Sequence, residues 1–169
     1  MPARENSPLR AYLDIETTGL SPHRAELTVV GICLEQGDRR RVVQLYEKTL
    51  TRGNLLAALK GADILYTYNG ARFDIPFIEH HLRPDLAGVV PHCDLMHHCW
   101  DRNLWGGLKA VEAQLGISRE SEGLDGFDAV RLWWEYRDHG SRRALSRLLQ
   151  YNAEDVTNLA HIRRLLKVK

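Results

Sequence analysis

The chain has 169 residues with 23 Lys plus Arg against 22 Asp plus Glu, a formal net charge of +1. That length suits one domain, residues 1–169, able to bury a substantial core, and no Pro/Gly/Ser-rich linker divides it. The charge balance excludes a globally basic nucleic-acid binder, so any attraction for phosphate must be local. No apolar run approaches the roughly 18 residues of a membrane span, and the opening MPARENSPLR lacks the apolar core of a leader. Cys33, Cys93 and Cys99 are odd in number and lack CxxC spacing. They predict no disulfide framework and a reducing, cytoplasmic setting.

In chain order, Leu9–Ile15, Glu26–Leu34 and Arg40–Tyr46 are β-rich runs separated by the turn-prone SPHRA and EQGD. They predict an antiparallel meander. Thr51–Lys60 shows helical spacing at Leu55, Leu56 and Leu59, with Gly61 as a stop. Asp63–Tyr68 reads as a fourth strand. Phe73–Leu82 reads as a helix that tolerates Pro76 in its first turn. A fifth strand is expected around Val89–Leu95, followed by helices over Leu108–Leu115, Phe127–Arg137 and Arg142–Leu166. A meander followed by alternating helix and strand implies an α/β fold, a mixed five-stranded sheet with helices packed on it.

Three short strings carry the chemistry: DIETTG from Asp14, YNGARFDIPFI from Tyr68 and YNAEDV from Tyr151. Alternation along the first strand throws Tyr12, Asp14 and Glu16 onto one face, with Leu13 and Ile15 on the other. Two carboxylates on a strand otherwise fit for burial are costly unless a cation joins them. On the last helix Tyr151 and Asp155 lie four residues apart and share a face, while Glu154 points roughly 100° away. Asp74 supplies a fourth acid at the start of its helix. Four carboxylates from separated segments suit Mg²⁺ or Mn²⁺, hard ions that favour oxygen ligands and leave positions open for water and phosphate. Such an inventory, with a phenol to place a water, fits a two-metal phosphodiesterase site.

These strings, in this order, resemble the three exonuclease motifs of the DEDD (DnaQ-like) 3′-to-5′ exonuclease superfamily, an RNase H-like fold. The tyrosine spacing resembles the DEDDy branch. The layout is also similar to YprB-like RNase H-like domains, whose DL…LK.VE..LGI segment is echoed by Asp94-Leu95 and Leu108–Ile117. The resemblance implies that Asp14, Glu16, Asp74 and Asp155 hold two divalent ions and that Tyr151 is the third-motif tyrosine. It implies a single-stranded DNA or RNA 3′ end as substrate. It also implies that the turn Thr17, Thr18, Gly19 and Leu20 meets the terminal nucleotide. Asn69, Arg72 and Phe73 are expected near sugar, phosphate and base, or else in the service of their own turn. A helicase or another accessory protein is a possible partner. The rival readings are a catalytically silent binding module on the same fold and a structure-selective endonuclease.

Other features have plainer readings. HCDLMHHC, from His92 to Cys99, lacks the second ligand cluster of a structural zinc site. Asp94 is expected to cap the following helix or to support the site from behind. Core packing is the expectation for Trp100, Trp105, Trp133 and Trp134, and turn or capping duty for Asp125 and Asp128. The runs around Arg39–Arg41, Arg142–Arg147 and Arg163–Lys169 read as solvated faces before they read as binding sites.

Overall fold

The computed structural model describes residues 7–121 and 123–169. Strands β1 (Arg10–Thr17), β2 (Leu27–Gln36) and β3 (Arg39–Tyr46) form the expected antiparallel meander. β4 (Ile64–Thr67) pairs parallel to β1, and β5 (His92–Asp94) parallel to β4, giving the order β3-β2-β1-β4-β5. β1 is therefore central. The carboxyl ends of β1, β4 and β5 all emerge at one rim, the customary place for a site in a sheet of this kind.

Helices cover both faces: α1 (Arg52–Leu59), α2 (Asp74–Leu82), α3 (Leu86–Val89), α4 (Leu95–Trp100), α5 (Leu108–Gln114), α6 (Gly126–His139) and α7 (Arg142–Leu165). The two-residue period of β1 decides the partition. Ala11, Leu13 and Ile15 pack with Leu55 and Leu59 of α1 and Phe77 and Ile78 of α2. Tyr12 faces the other way, joining Cys33 and Tyr66 against Leu95, Val111, Val156, Leu159 and Ile162. Residues buried at three- and four-residue intervals along α7, from Leu148 through Tyr151, Asn152, Asp155, Val156 and Leu159, form its inward stripe. That stripe lays α7 across β1 and β2.

The fifth strand is shorter than Val89–Leu95, because helices claim both its ends. Asp85 caps α3, accepting from the Gly88 N–H at 3.1 Å, and Val89 closes that helix. Asp94 caps α4, accepting from the Met96 N–H at 3.1 Å, so Leu95 opens the next one. Both segments are too short for a periodic pattern to register.

The basic runs prove partly structural. Arg40 and Arg163 reach Glu35 at 2.9 and 3.4 Å, and Arg163 Nε donates to the Tyr12 hydroxyl at 2.7 Å. These contacts tie α7 and β3 to the sheet at the Glu35 end of β2, four residues from the Gly31–Asp14 pair. Among the described residues, no helix is long and apolar enough to cross a membrane.

Candidate active site

Strand alternation and helix periodicity meet at the carboxyl end of β1. Asp14 and Glu16 point from β1 towards α7, where Asp155 faces them, and ligand oxygens of these three carboxylates lie within 4.8 Å of one another. Glu16 and Asp155 are buried and Asp14 is half-buried. Tyr151, one turn before Asp155, is buried among Val29, Leu132, Trp133 and Leu148. Burial first, and then the neighbouring Asp155 charge, push the carboxyls of Asp14 and Glu16 well above the usual carboxylate range. Burial also lifts Asp155 to about 6, against the pull of Arg119.

Asp74 stands apart from that trio. It opens α2, and its Oδ1 accepts from the Ile15 N–H at 3.2 Å, so the carboxylate lies against the β1 backbone. Its charge still raises Asp14 and Glu16, and burial raises Asp74 itself to about 7. All four predicted acids and the tyrosine therefore gather at one rim, three acids as a tight group and the fourth beside it.

The acids and tyrosine of the motifs do not by themselves disclose what supports this group, although one such residue, Asn152, lies inside the third string. Asn152 is fully buried; its Nδ2 donates to Asp14 Oδ2 at 3.3 Å and to Glu16 Oε1 at 3.5 Å. Its Oδ1 accepts from Gln44 Nε2 at 3.0 Å, which fixes the amide's orientation from β3. The close passage of α7 requires Gly31 opposite Asp14: a Cβ there would lie 2.1 Å from Asn152 Oδ1. Gly31→Ala is expected to cost about 1–3 kcal/mol by overpacking and to displace Asn152 from the acids. Urea unfolding measures the loss, and unchanged stability would remove the close approach as a constraint. The neighbour of Asp155 is Arg119, whose Nη2 also reaches Glu112 Oε1 at 2.7 Å. Asn158 Nδ2 donates to the same Glu112 oxygen at 3.2 Å. No helical or strand period announces Arg119, because it sits in the irregular segment after α5.

The family model RNase_H_2, of the RNase_H superfamily, matches residues 11–167. The chain belongs to the RNase H superfamily. The family B DNA polymerase from the hyperthermophilic archaeon Pyrobaculum calidifontis superposes with a TM-score of 0.70 at 19% identity, over 95% of this chain and 24% of the polymerase. Brucella melitensis NrnC with bound Mg²⁺ gives a TM-score of 0.59 at 24% identity, over 99% of this chain and 76% of NrnC. NrnC bound to pGG gives 0.60 at 23% identity, over the same shares of the two chains. At such identities the likeness establishes a common fold. No curated protein matches.

On this RNase H-like frame the remaining predicted positions divide. Thr17 and Thr18 serve their own turn: Thr17 Oγ1 donates to the Gly19 carbonyl at 2.7 Å, and Thr18 Oγ1 accepts from the Glu26 N–H at 2.8 Å. Leu20 is 87% exposed, presented by that turn and free for contact. Phe73, half-buried, packs on Phe77 with ring centroids 5.0 Å apart and so braces the start of its own helix. Asn69 holds a left-handed backbone, φ 60°, and its N–H donates to Asp94 Oδ1 at 2.8 Å. Asp94 also accepts from the Ala71 N–H at 3.2 Å, so one carboxylate both caps α4 and shapes the loop that delivers Asp74. Asn69 and Arg72 line a cavity of about 420 Å³ with Tyr68, Trp100, Gly107 and Leu108.

The core reading of the tryptophans holds for Trp133 alone in full. Trp105 is 57% exposed and stacks on Trp100 at 5.9 Å, while Trp134 is 38% exposed. In the His/Cys stretch, His92 Nε2 pairs with Thr67 Oγ1 at 2.8 Å and Cys99 is buried in the core. Glu154, turned from the acids, accepts from Ser121.

Proposed function

We propose that this protein is a metal-dependent 3′-to-5′ exonuclease that removes nucleoside monophosphates from single-stranded DNA or RNA ends. The observation that carries this reading is the convergence of Asp14, Glu16 and Asp155 within 4.8 Å, with Tyr151 one turn away. Three crowded, largely buried carboxylates are poorly tolerated as bare anions, and their oxygen-only donor set fits a hard divalent ion. Asp14, Glu16 and Asp155, with Asp74 adjacent, would hold two Mg²⁺ or Mn²⁺ ions. Bound there, such ions lower the pKa of an attacking water and stabilise the leaving oxygen. NrnC, which shares the fold, has been seen with Mg²⁺ and with pGG, which is consistent with this reading.

The chain's own groups supply positioning. Burial and the nearby carboxylates push the Tyr151 phenol far above its ordinary value of 10.0, so it remains a neutral O–H near pH 7 and orients water by hydrogen bonding. Asn152 holds Asp14 and Glu16 by donating to both. Leu20, exposed on the turn after β1, offers an apolar edge to a terminal base.

End dependence is the decisive test. A 3′-ended labelled oligonucleotide with Mg²⁺ or Mn²⁺ is expected to shorten stepwise to monophosphates, and a covalently closed circle of the same sequence to stay intact. Cleavage of the circle would identify an endonuclease instead, and inertness towards both would favour a silent binding module.

A further inference from the structure

Lys109 belongs to none of the three motifs, yet its ammonium lies at the candidate site. It is the second residue of α5, and its Nζ sits 4.6 Å from the centroid of the Tyr151 ring. That nitrogen is buried, and among the described residues it has no hydrogen-bond partner. Its charge also acts on Glu16 and Asp155, lowering both. The other cation here, Arg119, is committed to Glu112 and Asp155. A desolvated ammonium with three donors and no acceptor is expensive to keep. The first turn of a helix, where the backbone dipole is positive, gives it no relief.

The Tyr151 ring face meets the ammonium from one side but accepts none of its hydrogen bonds, so the position suits an anion that is not one of the protein's own. The carboxylates are close enough to feel the lysine, but no ion pair joins them to it among the described residues. An acceptor that carries negative charge and approaches both Tyr151 and the acid trio would satisfy the ammonium best. A phosphodiester has these properties.

We propose, resting on the exonuclease reading above, that Lys109 is a catalytic residue whose ammonium binds a non-bridging oxygen of the scissile phosphate. Water oxygen forms the new bond to phosphorus, and the bond from phosphorus to the 3′ oxygen of the penultimate nucleotide breaks. The proton lost by the water is balanced by the proton the 3′ oxygen gains. Lys109 transfers no proton. It stabilises the negative charge that gathers on the non-bridging oxygens as the five-bonded arrangement forms. Preorganised charge of that kind is most effective where water is excluded.

Lys109→Met keeps the length and the apolar stem over Tyr151 while deleting the charge; Lys109→Arg restores a cation. Three measurements separate the roles: single-turnover hydrolysis of a 3′-ended oligonucleotide, Mn²⁺ affinity without nucleic acid, and binding of a nucleoside monophosphate against the bare nucleoside in Ca²⁺. Lys109→Met is expected to slow turnover about 100-fold, the usual effect of losing one transition-state donor, with partial recovery in Lys109→Arg. Its Mn²⁺ affinity should be equal or tighter, since a competing charge has gone. The preference for the phosphorylated ligand in Ca²⁺ should fall about 10-fold or more, the share expected of one charged hydrogen bond. Unchanged turnover, or an unchanged monophosphate preference, overturns the proposal; loss of Mn²⁺ binding overturns it in favour of a structural role. If the unaltered protein cuts no linear substrate the exonuclease reading falls, and the monophosphate comparison still decides Lys109 on its own.

Discussion

Asp14→Asn is expected to abolish hydrolysis and at the same time raise the melting temperature of the metal-free protein. The two effects share one cause. Asp14 belongs to a trio whose ligand oxygens lie within 4.8 Å, and wherever two of its carboxyls are both ionised they repel, at an effective dielectric of about 20, by about 3 kcal/mol. Replacing one carboxylate with a neutral amide removes that repulsion. The new side chain can still offer an oxygen to Asn152 Nδ2, which now bonds Asp14 Oδ2 at 3.3 Å. Relief of about 2 kcal/mol corresponds to a rise of roughly 4–8 °C in a domain of this length. Activity moves the other way. Groups that merely orient metal ligands are worth about 10- to 100-fold, so loss of a ligand charge should exceed 100-fold. Oligonucleotide turnover and a melting curve in EDTA measure the pair. Retained activity would remove Asp14 from the site, and a lower melting temperature would show the trio is not a source of strain.

Without divalent ions, stability is expected to fall as pH rises from 5 to 8, and added Mn²⁺ to restore it mainly at the upper end. Asp155 and Asp74 are raised from 3.8 to about 6 and about 7. An acid whose folded-state pKa exceeds its unfolded value binds more protons when folded, so its contribution is complete below the unfolded pKa. It is lost as pH climbs through the folded one. The part of the decline owed to these two carboxyls should therefore span roughly pH 4 to 7, and Asp14 and Glu16, raised in the same direction, add to it. Glu35, held below its ordinary value of 4.5 in part by Arg40, has the opposite slope, which makes pH 5 the better lower limit. Raising one carboxyl from 3.8 to about 6 costs about 3 kcal/mol above that pH, or roughly 6 °C or more. Protons compete with metal for the same oxygens, so the ion's effect should be small at pH 5 and large at pH 8. A melting temperature indifferent to both pH and millimolar Mn²⁺ would count decisively against a metal site.

The local periods, and the residues they place on common faces, are written in the order of the amino acids alone. Alternation in LDIET put Asp14 and Glu16 on one side of a strand and Leu13 and Ile15 on the other, and the four-residue step from Tyr151 to Asp155 placed both on one face of α7. These follow from backbone geometry, which is the same wherever the segment lies. What those faces meet depends on the packing of distant elements. Asn152 reads as an ordinary helix residue until α7 crosses β2 at Gly31, where the absent Cβ admits its amide to the acids. That Phe73 lies against Phe77 is likewise decided by how α2 packs, not by any local period. Arg119, on an irregular segment, reaches Asp155, and Lys109, at the start of α5, reaches the Tyr151 ring, each across more than 30 residues of chain that no local period relates. Contacts of that range depend on how whole elements pack, which is set by the burial of all their faces together.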